Sequence, residues 1–219
     1  MGFNTVAGAI NQALAEEMRR DESVVLLGED IELGVLGVTA GLIEEFGPRR
    51  VRNTPISENA IVGCAVGAAM TGLRPVVEIM FQDFLTTCMD PIVNQAAKMH
   101  FMTGGFVSVP MVIRSPGGAG LAAGPQHSQT FDAWFMRVPG LKVVAPATAA
   151  DAKGLLKASI RDNNPVMYLE NKLLYFEGGE VPDDEDFVIP LGQAEVKRKG
   201  DDVTVVAVSS LVARAMRAA

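Results

Sequence analysis

The run Ala60 to Met70 holds no charge, and read at 3.6 residues per turn it has no polar face. A helix of that kind is expected to be buried on every side, so the chain must supply covering layers. Thr54-Pro55-Ile56-Ser57-Glu58 leads into it. Pro55 biases Thr54 toward an extended conformation, and Ser57 is a good N-cap for a helix opening at Glu58. Gly63 and Gly67, one turn apart, leave room for a backbone or a flat ligand. Glu58 has two readings. It is either a half-exposed acid favoured by the helix dipole, or a carboxyl in apolar surroundings that shares a proton. Burial shifts a carboxyl by up to several pKa units of about 1.4 kcal/mol each, against about 0.3–1 kcal/mol from the dipole, so an enclosed Glu58 would hold its proton.

Around this segment the pattern alternates helices with short apolar strands. Thr5 to Arg20 places Val6, Ile10, Leu14 and Met18 four residues apart, the spacing of an amphipathic helix. Ser23–Leu27, Val76–Met80, Met111–Arg114, Leu141–Ala145 and Val166–Glu170 read as strands. Ala40–Phe46, Leu85–Met102 and Asp151–Asp162 read as helices. The predicted fold is α/β, a mostly parallel sheet with helices on both faces. Residues 1–176 form the main domain in this reading, and 177–188, acidic and containing glycine, form a linker. Residues 189–219 are then the incomplete start of a second α/β domain, with strands over Ile189–Lys199 and Asp202–Ser209 and a helix from Leu211, so the chain reads as truncated.

With 48% hydrophobic residues and a net charge of −7, the 219-residue chain buries a large core and is a poor partner for nucleic acid. Its longest apolar run is too short to span a membrane, and no signal peptide is expected. Cys64 and Cys88 lie in apolar segments without metal-ligand spacing and read as reduced, which points to the cytoplasm. His127 ends a glycine-rich loop, Ser115 to Ser128, that follows a strand, where ligands gather in open α/β sheets. Such a histidine suits proton transfer, although a surface histidine without a role fits the same position. Gly118, Gly120 and Ala123 imitate a dinucleotide fingerprint that Pro125 interrupts. His100 reads as a packing or boundary residue. Phe84 offers a ring face to a planar ligand or packs in the core.

Thr54-Pro55-Ile56-Ser57-Glu58, Gly67-Ala68-Ala69-Met70 with Gly72-Leu73-Arg74-Pro75, Gln126-His127-Ser128-Gln129, Pro139 to Val144, Asp151 to Leu155 and Ile160 to Pro165 recur as a set. With them the chain resembles, over essentially its whole length, the beta subunits of thiamine-diphosphate-dependent 2-oxo acid dehydrogenases. The resemblance implies a transketolase-like pyrimidine-binding domain followed by a swivelling domain. It also implies cleavage of a 2-oxo acid of the pyruvate type, or of acetoin, with the acyl group passed to lipoamide. Glu58 takes the place of the glutamate that shares a proton with the cofactor's aminopyrimidine, Phe84 stacks on that ring, and Ile56 and Met80 line its pocket. His127 takes the place of the histidine that transfers a proton during acylation of lipoamide. Main-chain carbonyls of Met111, Ser159, Ile160, Asp162 and Asn164 correspond to a potassium site of some members.

A Gly-Asp-Gly motif with Asn-Asn about thirty residues later, which holds magnesium and the diphosphate in related enzymes, has no counterpart here. An alpha subunit is therefore expected to supply magnesium and the diphosphate half in an α2β2 assembly, and the lipoyl domain and core of an acyltransferase are further expected partners. Gly34 to Thr39 and Gly179 to Pro182 lean toward acetoin dehydrogenase, with pyruvate dehydrogenase next. A non-catalytic scaffold subunit of such a complex is the rival reading, and a dinucleotide oxidoreductase is a third.

Overall fold

The structure, a computed structural model, describes all residues from Met1 to Ala219. Strand β1 (Gly2–Thr5) leads into helix α1 (Val6–Arg20), whose N-cap Thr5 accepts a hydrogen bond from the Gly8 amide. There follow β2 (Val24–Gly28), α2 (Leu42–Phe46), β3 (Val51–Asn53), α3 (Glu58–Met70) and β4 (Arg74–Glu78). A 3-10 turn, Gln82–Cys88, a π-helical stretch, Pro91–Ala96, and α4 (Met99–Met102) replace the single helix expected over Leu85–Met102. Pro91 lacks the N–H that a regular helix would need, which fits the irregularity around it. The chain continues through β5 (Val112–Gly117), α5 (Asp132–Phe135), β6 (Lys142–Val144), α6 (Ala149–Arg161), β7 (Val166–Asn171), β8 (Gly178–Val181) and α7 (Leu211–Ala218). Thr148 and Asp151 form a reciprocal capping box at the start of α6.

Six strands pair in the order β3-β2-β4-β5-β7-β6, all parallel, as the alternating pattern predicts. Both faces are covered, and alternate residues serve opposite layers. Val76 and Val112 join the layer of α1 and α6, whereas Val77 and Ile113 join that of α3 and the irregular helices. Pro75 sits in an interior strand, one residue after its start, where a missing donor costs little.

Three further expectations need correction. The supposed linker contains β8, which pairs antiparallel with β1 from Gly2 opposite Val181 to Thr5 opposite Gly178. Ile189–Lys199 and Asp202–Ser209 form no strands. Val203, Val205, Val206 and Val208 lie exposed, and with no neighbouring strand to satisfy their backbone they cannot make a ladder. Helix α3, finally, is not buried on every side. Ile61, Val62, Ala65, Val66 and Ala69 face the sheet, while Asn59, Ala60, Gly63, Cys64, Gly67 and Met70 face solvent, because no other segment of the chain covers them. A Cβ added at Gly63 or Gly67 would meet nothing within 4 Å.

Candidate active site

Glu58 opens α3, half-buried, with Ser57 as N-cap but without a side-chain capping bond. The enclosure expected from its apolar sequence is missing because the outer side of the helix is bare. Thr87 Oγ1 lies 3.4 Å from Glu58 Oε2 and also donates to the Phe84 carbonyl at 2.8 Å. That one hydroxyl ties the head of α3 to the 3-10 turn. The carboxylate keeps most of its hydrogen-bonding capacity for something else. Cys88, buried beneath, has its thiol pushed up to about 12 by burial with Glu58's charge adding to it, so it is an inert core thiol. Burial, with the charges of Asp30 and Glu58, also raises the Glu29 carboxyl at the end of the neighbouring strand.

The 3-10 turn is preceded by Met80, half-buried, and Phe81. His127 packs edge-on against two rings, with centroids 4.6 Å away at Phe81 and 5.3 Å away at Phe84. These rings are themselves edge-to-face at 5.7 Å. Glu58, Thr87, Phe84 and His127, which follow β3, β4 and β5 in the chain, thus form one unbroken chain of contacts. Ile56 stands apart, 74% exposed, and closes no pocket by itself.

The loop bearing His127 is held by the residues it packs on. Gln82, fully buried, accepts from the Phe131 amide at 2.9 Å, and its amide nitrogen reaches the Ser115 and Glu170 carbonyls at 3.4 Å. Gly117 is required beneath it, since a Cβ there would lie 2.4 Å from the Gln82 side chain. Asp83 Oδ1 accepts from Gln129 Nε2 at 2.7 Å, while Asp83 Oδ2, buried, has no partner. Lys172 donates to the His127 carbonyl and lies 5.1 Å above the Phe81 ring. Below the loop, Arg114 is 1% exposed between Glu78 at 2.6 Å and Glu170 at 2.8 and 2.9 Å, and Tyr175 donates to Glu170. Burial opposes the Arg114 charge, but Glu170 and Glu78 outweigh it and hold the guanidinium above its ordinary value.

Two clefts lie elsewhere. One of about 210 Å³ is lined by Glu17, Arg20, Asp21, Arg74 and Arg161, and one of about 480 Å³ runs between Thr148, Leu174, Glu177 and Arg214. Neither includes Glu58, Phe84 or His127, which form an open rim.

The transketolase pyrimidine-binding domain matches residues 4–177. The chain belongs to that family. It is 50% identical over 221 residues to the pyruvate dehydrogenase E1 component subunit beta of Rhizobium meliloti, covering 100% of this chain and 48% of that protein. It is 48% identical over 229 residues to the acetoin:2,6-dichlorophenolindophenol oxidoreductase subunit beta of Bacillus subtilis, covering 98% of this chain and 67% of that one. The chain thus spans about half to two thirds of the length of these relatives. A split-gene transketolase, solved as an inactive beta4 tetramer, superposes with a TM-score of 0.77 at 22% identity over 99% of this chain and 67% of its own, which is a likeness of fold.

Of the site residues expected from the sequence, Glu58, Phe84 and His127 come together, Met80 immediately precedes Phe81 in the chain, and Ile56 does not close on them. Four of the five carbonyls matched to potassium are already engaged. Arg74 donates to the Ile160 and Asp162 carbonyls at 2.9 and 3.0 Å, Met111 accepts from the Val166 amide at 2.9 Å, and Ser159 accepts from Asp162 at 3.3 Å. Asn164 turns its amide to the Asp162 side chain. A guanidinium thus already meets the carbonyl-rich end of α6, and a potassium ion would have to share these oxygens with it. His100 is exposed, with Nδ1 2.8 Å from the Val107 carbonyl. Only a three-residue 3-10 turn, Pro125–His127, follows β5 before α5, so the glycine pattern lacks the α-helix N-terminus that a dinucleotide site needs. No helix is long and apolar enough to cross a membrane, and no cluster of His, Cys, Asp or Glu has metal-site geometry. Thr87, Lys172 and the Glu78-Arg114-Glu170 group escaped the sequence reading, although single charges inside the apolar strands Val76–Ile79, Val112–Ser115 and Met167–Asn171 were a signal in plain view.

Proposed function

We propose that this chain supplies the pyrimidine half of a thiamine diphosphate site in the beta subunit of a component that cleaves a 2-oxo acid of the pyruvate type, or acetoin, and passes the acyl group to lipoamide. The observation that carries this reading is the unbroken contact from Glu58 through Thr87 and Phe84 to His127, on segments that follow parallel strands. The donor set fits the cofactor's ring. A carboxyl at a helix start with one weak partner accepts or yields a proton at a ring nitrogen, the half-buried Phe84 ring suits stacking on a flat heterocycle, and Met80 adds an apolar side chain beside it. When bound, the cofactor supplies a carbon nucleophile for the substrate carbonyl.

In this reading Glu58 holds the shared proton, Phe84 and Met80 orient the ring, and His127 moves a proton when the acyl group leaves for lipoamide. Magnesium and the diphosphate belong to an alpha subunit in an α2β2 assembly. That partner also completes the walls that Ile56 and the bare side of α3 leave open. The acyltransferase core with its lipoyl domain receives the product, in the cytoplasm. Residues 1–176, extended by β8 paired to β1, are the pyrimidine-binding domain, and 189–219 belong to a swivelling domain.

The test is dye reduction by the complex copurified with the full-length beta chain, given thiamine diphosphate and magnesium and offered pyruvate, acetoin or branched-chain 2-oxo acids in turn. Turnover of one substrate that depends on the cofactor supports the proposal and names the complex. No turnover from an intact assembly would favour the scaffold reading.

A further inference from the structure

Lys172 is 4% exposed and makes no ion pair. Its ammonium spends itself on the main-chain carbonyl of His127 and on the face of Phe81, the ring that packs against the His127 imidazole. Burial pushes the ammonium below its ordinary value, and the charge of Asp83 works against that. A buried ammonium repaid only by a carbonyl and an aromatic face is costly, and an apolar side chain of similar length would fill the same space more cheaply. Both contacts end on the surroundings of one residue.

The loop needs such a clamp. It is rich in glycine, takes left-handed steps such as Gly120 at φ +121°, and its tip, from Leu121 to Gln126, is exposed. Its base is tied by the Gly118 amide to the Gln129 carbonyl, and its far limb by Asp83 to Gln129 and Gln82 to Phe131. His127 sits between these anchors, and the contact that fixes its own main chain from the sheet side comes from Lys172.

We infer that Lys172 is a positioning residue for His127. It pins the His127 carbonyl and the Phe81 ring together, so that the imidazole is held against Phe81 and Phe84 on the rim it shares with Glu58. The inference rests on the proposed role of His127 for its functional consequence, though not for its geometric one.

The experiment compares Lys172→Met and Lys172→Arg in the assembled complex with wild type. The first readout is the ring signals of His127, followed by NMR with ¹³C-histidine in this chain alone, since the flanking aromatic rings shift them. The second is the ratio of lipoyl-domain acylation to dye reduction. Lys172→Met is expected to move the His127 signals and to slow acylation about 10-fold to 100-fold while dye reduction holds, as a reacting group displaced by about an ångström would. Lys172→Arg, which keeps a cation and donors, is expected to restore much of both. Moved signals with acylation unchanged would support the positioning role and overturn the proposed role of His127. Unmoved signals would overturn the inference, whether both activities fall together or neither falls.

Discussion

Helices α1 and α6 cover one face of the sheet with five charged residues locked between them, whereas α3 on the other face carries no charge from Asn59 to Met70 and leaves half its circumference in solvent. In the first layer Glu16 takes Lys153 at 2.9 Å and Lys157 at 2.5 Å, and Glu17 takes Arg161 at 2.6 Å, nearly all of it buried. Those charges satisfy one another, so that layer needs nothing further. The second layer keeps a half-buried carboxylate with one long hydrogen bond at the head of a bare apolar helix. The candidate site lies on the side that the chain leaves unfinished.

The finished face breaks most easily at its charges. Glu16→Gln takes from two buried ammonium groups the carboxylate they share and is expected to cost about 3–5 kcal/mol by urea unfolding. Burial raises the Glu16 carboxyl, but hydrogen bonds from Lys157, Lys153 and Gln12 outweigh it and leave it below its ordinary value. The stabilisation is therefore complete above the unfolded pKa of about 4.3 and is lost as pH falls through the folded value. Wild type should accordingly lose an acid-sensitive part of its stability that Glu16→Gln no longer has.

Arg114→Met tests the buried charges under the candidate site with the opposite sign. It leaves Glu78 and Glu170 together without a cation, at a cost of about 3–5 kcal/mol near neutral pH. Burial already raises the Glu170 carboxyl. Without the guanidinium that opposes burial it should rise further, so lowering the pH toward 5 should narrow the gap between variant and wild type in urea midpoints.

Two helical glycines give the smallest and sharpest contrast. Gly67→Ala on the bare side of α3 meets nothing and should stabilise the chain by up to about 1 kcal/mol. Gly154→Ala in α6 would press on Ile189 at 2.7 Å and Phe187 at 2.8 Å, so it should gain nothing or lose stability. Thermal or urea unfolding of the pair reads the sign directly.

The sheet and its layers were legible because short apolar runs alternate with amphipathic helices. The start of α3 at Glu58 could be read from Ser57 and Pro55, and the motifs around Glu58 and His127, with the resemblance they carry, singled out the residues that the structure brings together with Phe84. Burial of α3 was misread because an apolar helix looks the same in sequence whether its own chain covers it or not. Thr87 and Lys172 stayed hidden because their roles depend on contacts between segments 29 and 45 residues apart. Ile189–Lys199 and Asp202–Ser209 read as strands, yet a strand needs a neighbour and none pairs with them.

The central claim is that Glu58 holds the proton on which the cofactor's reactivity depends. Its direct test is hydrogen–deuterium exchange at the thiazolium carbon of thiamine diphosphate bound to the assembled complex, comparing wild type with Glu58→Gln. Exchange slowed by about 10²- to 10⁴-fold, with cofactor still bound and the fold intact, is the expected result. Exchange at the wild-type rate would contradict the account.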